Sequence, residues 1–271
     1  MMAYIIKKRE IFLFFLFLFL ISTLNHAYSE VSATFWQTKK SDHFVIYFQD
    51  APQDYVDELI RNAESYYNAI VDELGYRRFD FWTWDNRAKI YLFNSPADYL
   101  NDTGRVSWSG AMVNIKKRTI MTFINQQAFF ESILPHEMTH IIFLEFVGLK
   151  RFLPLWLNEG IACSQEKTLL NERLQFARNL VKSNIYITLD KLTEINDCNL
   201  VVPQVFYAES ASLVVFLFQE YGKDKFLDFS RKIKESKPWL QALMDTYEFK
   251  DLKDAEEKWK NFMLSVLLRN N

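Results

Sequence analysis

The chain has 271 residues, 49% of them hydrophobic and 24% charged, with 34 acidic against 32 basic side chains. That hydrophobic share excludes an intrinsically disordered chain, and six Gly with six Pro exclude a collagen-like or low-complexity one. A formal net charge of -2 offers no broad basic surface, so nucleic acid is not an expected partner.

Residues 1–29 read as an export signal. Lys7, Lys8 and Arg9 form a basic start, Ile11 to Ile21 is an unbroken apolar run, and Ala27-Tyr28-Ser29 puts small residues at a cleavage site after Ser29. The run is shorter than the roughly 20 apolar residues of a spanning helix. Cleavage would leave a mildly acidic mature chain, residues 30–271, in a periplasmic or extracellular setting. An uncleaved segment would make residues 11–21 a membrane anchor. Cys163 and Cys198 lack any C-x-x-C spacing, which excludes a cysteine-based zinc site and leaves one disulfide or two buried thiols.

In chain order, His43 to Phe48 reads as a strand. Tyr55 to Leu74 carries apolar residues three and four apart, a helix with Pro52 near its start and Gly75 at its end. Lys89 to Phe93 is a second strand, and Ser95-Pro96 opens a short helix. Ser109 to Phe123 reads as two strands joined around Lys116-Lys117-Arg118, with the basic triplet as a solvated turn. From Gln127 the pattern is helical, including Val205 to Tyr221 closed by Gly222, then Lys223 to Lys234 and Lys253 to Leu268. Strands first and helices second, with no repeat or linker, predict one α+β unit of two lobes.

His136-Glu137-Met138-Thr139-His140 is an H-E-x-x-H pentapeptide in an apolar helical pattern. Residues four apart share a helix face, so both imidazoles can reach one Zn²⁺ with Glu137 beside them. The alternative is a plain helix with two satisfied histidines, but two of the three histidines left after residue 29 sit in this motif. A catalytic zinc needs a third protein ligand. Glu159, eighteen residues beyond His140, stands among Leu155, Trp156, Leu157, Ile161 and Ala162, where a buried carboxylate needs a partner.

These segments resemble the gluzincin metallopeptidases, in particular the compact peptidase-MA-like domains, and more distantly the GAMEN-type zinc aminopeptidases. The match comprises Gly110-Ala111-Met112-Val113-Asn114 against GAMEN, the H-E-x-x-H, the Trp156-Leu157-Asn158-Glu159-Gly160 segment, and Tyr207-Ala208-Glu209-Ser210 heading a helix that ends in Tyr221-Gly222. It covers roughly residues 40–230. The resemblance implies a two-lobed, thermolysin-like zincin fold and one Zn²⁺ per chain. His136, His140 and Glu159 would be ligands, and Glu137 the general base for hydrolysis of a peptide or protein substrate.

It also implies that Tyr207 donates to the oxyanion, although on an apolar stripe with Ala211, Val214 and Phe218 it reads equally as a core tyrosine. Gly110, Ala111, Met112 and Val113 would pair with the substrate backbone, where the alternative is an ordinary hairpin and Gly110 would admit close backbone approach. Pro135 requires the zinc helix to start or kink beside it, and Asn158 or Glu145 are candidates to orient the ligands. The family's aminopeptidase glutamate is replaced by Val113, which points to an endopeptidase unless Glu209 takes over its role. A catalytically silent envelope binding or scaffold module is the reading from another class.

Overall fold

The computed structural model describes residues 35–76, 82–104 and 110–265, so the expected export segment 1–29 and the end of the last expected helix lie outside the described residues. The chain divides after Trp36, and the fold is that of the unit Gln37–Asn271.

Strand β2 (Phe44–Phe48) buries Phe44, Ile46 and Phe48 and leaves Val45 and Tyr47 half-covered, the alternation of a strand with one face inward. It pairs antiparallel with β1 (Gln37–Lys40) and parallel with β3 (Ala88–Phe93). A parallel pair needs a crossover, and α1 (Gln53–Glu73) lies within it. The α1 stripe of Val56, Leu59, Ala63, Tyr66, Tyr67, Ile70 and Val71 is buried, and the helix ends at Gly75 with φ +78 and its N–H on the carbonyl of Asp72. Helix α2 (Pro96–Thr103) starts as expected, with Ser95 Oγ accepting the Asp98 N–H at 3.1 Å.

Strands β4 (Ala111–Asn114) and β5 (Thr119–Phe123) are antiparallel, β5 runs parallel to β3, and the order is β1-β2-β3-β5-β4. The basic triplet between them is more than a solvated turn. Lys116 and Lys117 are exposed, whereas Arg118 forms an ion pair with Glu145, which also accepts the Trp82 indole N–H at 2.8 Å. The hairpin turn is thereby tied to the helix that carries the two histidines.

That helix, α3 (Leu134–Val147), is apolar on nearly every side because it is packed on nearly every side: Met138, Ile141, Ile142, Phe143 and Phe146 are fully buried. It lies between α1 and α4 (Leu155–Ser164). Next come α5 (Leu170–Lys182), α6 (Leu189–Glu194), α7 (Pro203–Lys234), α8 (Trp239–Tyr247) and α9 (Leu252–Ser265). Gly222, φ +82 and ψ 164, breaks α7 into the two helices expected on either side of it. The result is an α+β fold of the zincin-like kind, with a strand-rich N-terminal part and a helical C-terminal part. Among the described residues no helix is long and apolar enough to cross a membrane.

Helices α4 and α7 meet closely at Gly160. A Cβ there would overlap the Ser210 carbonyl of α7, lying 2.7 Å from its carbon, and would stand 2.9 Å from Val214 Cγ2. A backbone carbonyl inside a helix cannot turn away, so the two helices would have to separate. Gly160→Ala is expected to cost about 1–3 kcal/mol, a drop of several degrees in melting temperature. An unchanged melting temperature would show that the helices have room there.

Candidate metal centre

A π-turn over Phe129–Ile133 runs directly into α3, with the Leu134 N–H on the Phe129 carbonyl, and Pro135 falls in the first turn of α3. The winding therefore changes from π to α beside the proline. The Pro135 carbonyl is used by the Thr139 hydroxyl at 2.7 Å. His136 and His140 follow one turn apart with their rings at 84°, and their Nε2 atoms converge to 3.1 Å. Helix α4 folds back along α3 and delivers Glu159, whose Oε2 lies 3.5 Å from His136 Nε2 and 3.7 Å from His140 Nε2.

Ligands at about 2.0–2.1 Å around a tetrahedral ion stand about 3.3–3.4 Å apart. A triangle with edges of 3.1, 3.5 and 3.7 Å is of that size. Two imidazole nitrogens and one carboxylate oxygen are also the donor types of a catalytic zinc site, so the three residues fit such an ion.

The structure adds residues that sequence reasoning missed. His136 Nδ1–H donates to Glu166 Oε1 at 2.8 Å, which turns Nε2 toward the triangle, where a bound metal would take the place of its proton. Glu166 is 4% exposed, and Arg173 grips its other oxygen with Nη2 at 2.7 Å and Nε at 3.2 Å. The buried Cys163 thiol lies against the same imidazole, so that His136, Cys163 and Glu166 form a second close group. Cys163 stands one turn beyond Glu159 on α4, whereas Glu166 lies two residues past the end of that helix, so helical spacing does not indicate it.

Of the two expected orienting residues, Asn158 lies beside His140 and supports its charged form. Its Oδ1 and His140 Nδ1 are both buried yet fall short of hydrogen-bond geometry. Glu145 is not at the centre, because Trp82 and Arg118 hold it.

The charges are interdependent. Burial disfavours the His136 imidazolium, but contacts with Cys163, Glu159 and Glu166 outweigh it and carry its pKa well above the ordinary value. Burial, then the neighbouring His136, lower His140. Burial works to raise Glu159 and Glu166, but their histidine contacts bring both below the ordinary carboxylate range. Glu137, half-buried, makes no side-chain hydrogen bond among the described residues, and its charge is felt by His140.

Tyr207, in the first turns of α7, comes near enough for the Glu159 charge to act on it, after burial and Cys198, in raising its hydroxyl. Its OH meets Cys198 Sγ at 3.5 Å, and its ring packs half-buried against the core. Both cysteines are free, so the disulfide alternative is set aside. Gly110 to Val113 begin and run along β4, which ends the strand order, but the close approach at Gly110 is taken up by the chain itself. A Cβ there would lie 2.5 Å from Gln126 Nε2 and 3.2 Å from Ile133 Cδ1.

Glu209 cannot serve as an amino-terminal anchor. It is buried, and both its oxygens accept the Ile187 N–H, at 3.0 and 3.1 Å. Burial pushes its pKa up to about 8 from 4.5. The folded chain thus holds a proton in that window that the unfolded chain releases, and stability falls as pH rises through it. Glu209→Gln should remove the slope, its melting temperature gaining on the wild type between about pH 5 and pH 8. Parallel melting curves across that range would place the titration elsewhere.

Fold and centre together define a gluzincin-type, peptidase-like domain. The family model of the Peptidase MA superfamily matches residues 85–265, more than half of the chain, and the chain belongs to that superfamily. The superfamily is typically zinc-associated. No curated protein matches the chain.

Proposed function

We propose that this chain is an exported zinc-dependent metallopeptidase that cuts internal peptide bonds. The observation that carries the reading is the convergence of His136 Nε2, His140 Nε2 and Glu159 Oε2, 3.1–3.7 Å apart, with Glu137 beside the first of them. One zinc per chain would be held by these three residues, and when bound it supplies Lewis acidity and lowers the pKa of a water to about 7.

Glu137 takes the proton of the attacking water and passes it to the leaving amine. Tyr207 donates to the developing oxyanion, exchanging its contact with Cys198 for that stronger acceptor. The substrate lies extended along Gly110–Val113. The packing of Gly110 on Ile133, three residues before His136, supports a peptide path beside the ligands. Residues 1–29 act as a signal that directs the chain to the periplasm or beyond, or as a membrane anchor if retained. The substrate is a peptide or protein.

Internal cleavage follows from Val113. It stands where GAMEN-type aminopeptidases carry a glutamate for the substrate's amino group, and its side chain packs against the core. Valine cannot bond an ammonium, so this motif neither anchors a chain end nor penalises a longer peptide. N-acetylated peptides should be cut about as well as free ones, and aminoacyl anilides poorly.

The deciding experiment is zinc analysis of purified residues 30–271 with mass-spectrometric mapping of a digested peptide library. Internal cuts with about one zinc per chain are expected. Release of single residues only from free amino termini would refute the endopeptidase reading. A zinc-loaded chain that cuts nothing would favour the silent binding module.

A further inference from the structure

We propose that Arg173 is a positioning residue for the metal ligand His136, acting through Glu166. The inference rests on the metallopeptidase reading. The two oxygens of Glu166 have separate duties: Oε1 takes the His136 Nδ1–H at 2.8 Å, and Oε2 takes two donors of Arg173, at 2.7 and 3.2 Å. Two N–H groups of one planar guanidinium converging on Oε2 fix the place of that oxygen more closely than a rotating ammonium would, and the bond at Oε1 then fixes the plane of the carboxylate. With Oε2 held by Arg173, the bond between Oε1 and Nδ1–H sets the rotation of the His136 ring and hence the aim of Nε2.

Arg173 is itself held from a second side. Its guanidinium carbon lies 5.4 Å from the centre of the Tyr207 ring, a cation–π contact. It belongs to α5, whereas the ligands come from α3 and α4. A helix that supplies no ligand therefore aims one.

His136 is also the ligand for which such support counts most. Among the described residues His140 Nδ1 is buried without a hydrogen bond, Asn158 beside it falling short of one, so the second imidazole has no anchor comparable to the Glu166–Arg173 pair.

The test is the zinc dissociation constant of the full mature chain, by competition with a chromophoric chelator, together with the absorption spectrum of the Co²⁺-loaded protein. The variants are Arg173→Gln, Arg173→Lys, Glu166→Gln and the double variant Arg173→Gln/Glu166→Gln. Each of the two Gln variants should weaken zinc binding about 10–100-fold and alter the cobalt spectrum. The double variant should be no worse than the weaker single one, since both changes break one chain of contacts.

Arg173→Lys keeps the cation without the fork, should still bind zinc less tightly than the wild type, and decides the matter should Arg173→Gln fail to fold. Wild-type affinity and spectrum in Arg173→Lys and Arg173→Gln, or losses that multiply in the double variant, would overturn the inference and leave the metallopeptidase reading intact. A wild-type chain that binds no zinc would overturn both.

Discussion

Glu137→Gln is expected to bind zinc within a few-fold of the wild type and to lose about 10²–10⁴-fold in kcat, the range associated with a positioned general base. The two readouts should separate because Glu137 is not one of the three converging residues, while an amide of the same shape cannot accept the water's proton. Its carboxylate makes no side-chain hydrogen bond among the described residues, so the substitution breaks no packing arrangement and the metal-free melting temperature should stay put. Steady-state hydrolysis of a peptide cut by the wild type, with zinc measured on the same preparations, checks it. Loss of zinc along with activity would make Glu137 a structural residue. Retained activity would require another base.

His140→Ala should abolish stoichiometric zinc. Metal binding by a complete four-ligand protein site is worth about 10–16 kcal/mol, so one ligand carries about 3 kcal/mol, or roughly two orders of magnitude in affinity. The remaining pair, His136 and Glu159, would form an incomplete site. Stability offers a second readout: zinc should raise the melting temperature of the wild type by mass action and leave that of His140→Ala where it was. The metal-free variant should itself be only modestly less stable, because among the described residues the wild-type ring's buried Nδ1 makes no hydrogen bond and its removal offsets part of the lost packing. Full zinc occupancy in the variant would mean that the ion sits elsewhere, the group of His136, Cys163 and Glu166 being the first place to look.

What could be read from the chain by itself is whatever depends on neighbours a few residues apart. The α1 stripe, the Ser95 cap, the break at Gly222 and the paired histidines are matters of helical period and local backbone chemistry, and each is found where the residues indicate. Glu159 was legible for a related reason, since a lone carboxylate in an apolar helix must meet a partner in the folded chain.

Tertiary structure decided the rest. Strand β1, Gln37 to Lys40, has no apolar alternation and exists because β2 offers it an edge. The parallel pairing of β2, β3 and β5 depends on crossover paths that periodicity does not record. Glu166 and Arg173 become a linked pair only when the fold buries one and stretches the other between it and Tyr207. Arg118 and Glu145, 27 residues apart, found each other rather than solvent and a zinc ligand, and Glu209 took the Ile187 amide. A polar side chain's partner is set by which elements meet in space, and burial makes that choice binding by penalising any donor or acceptor left without one.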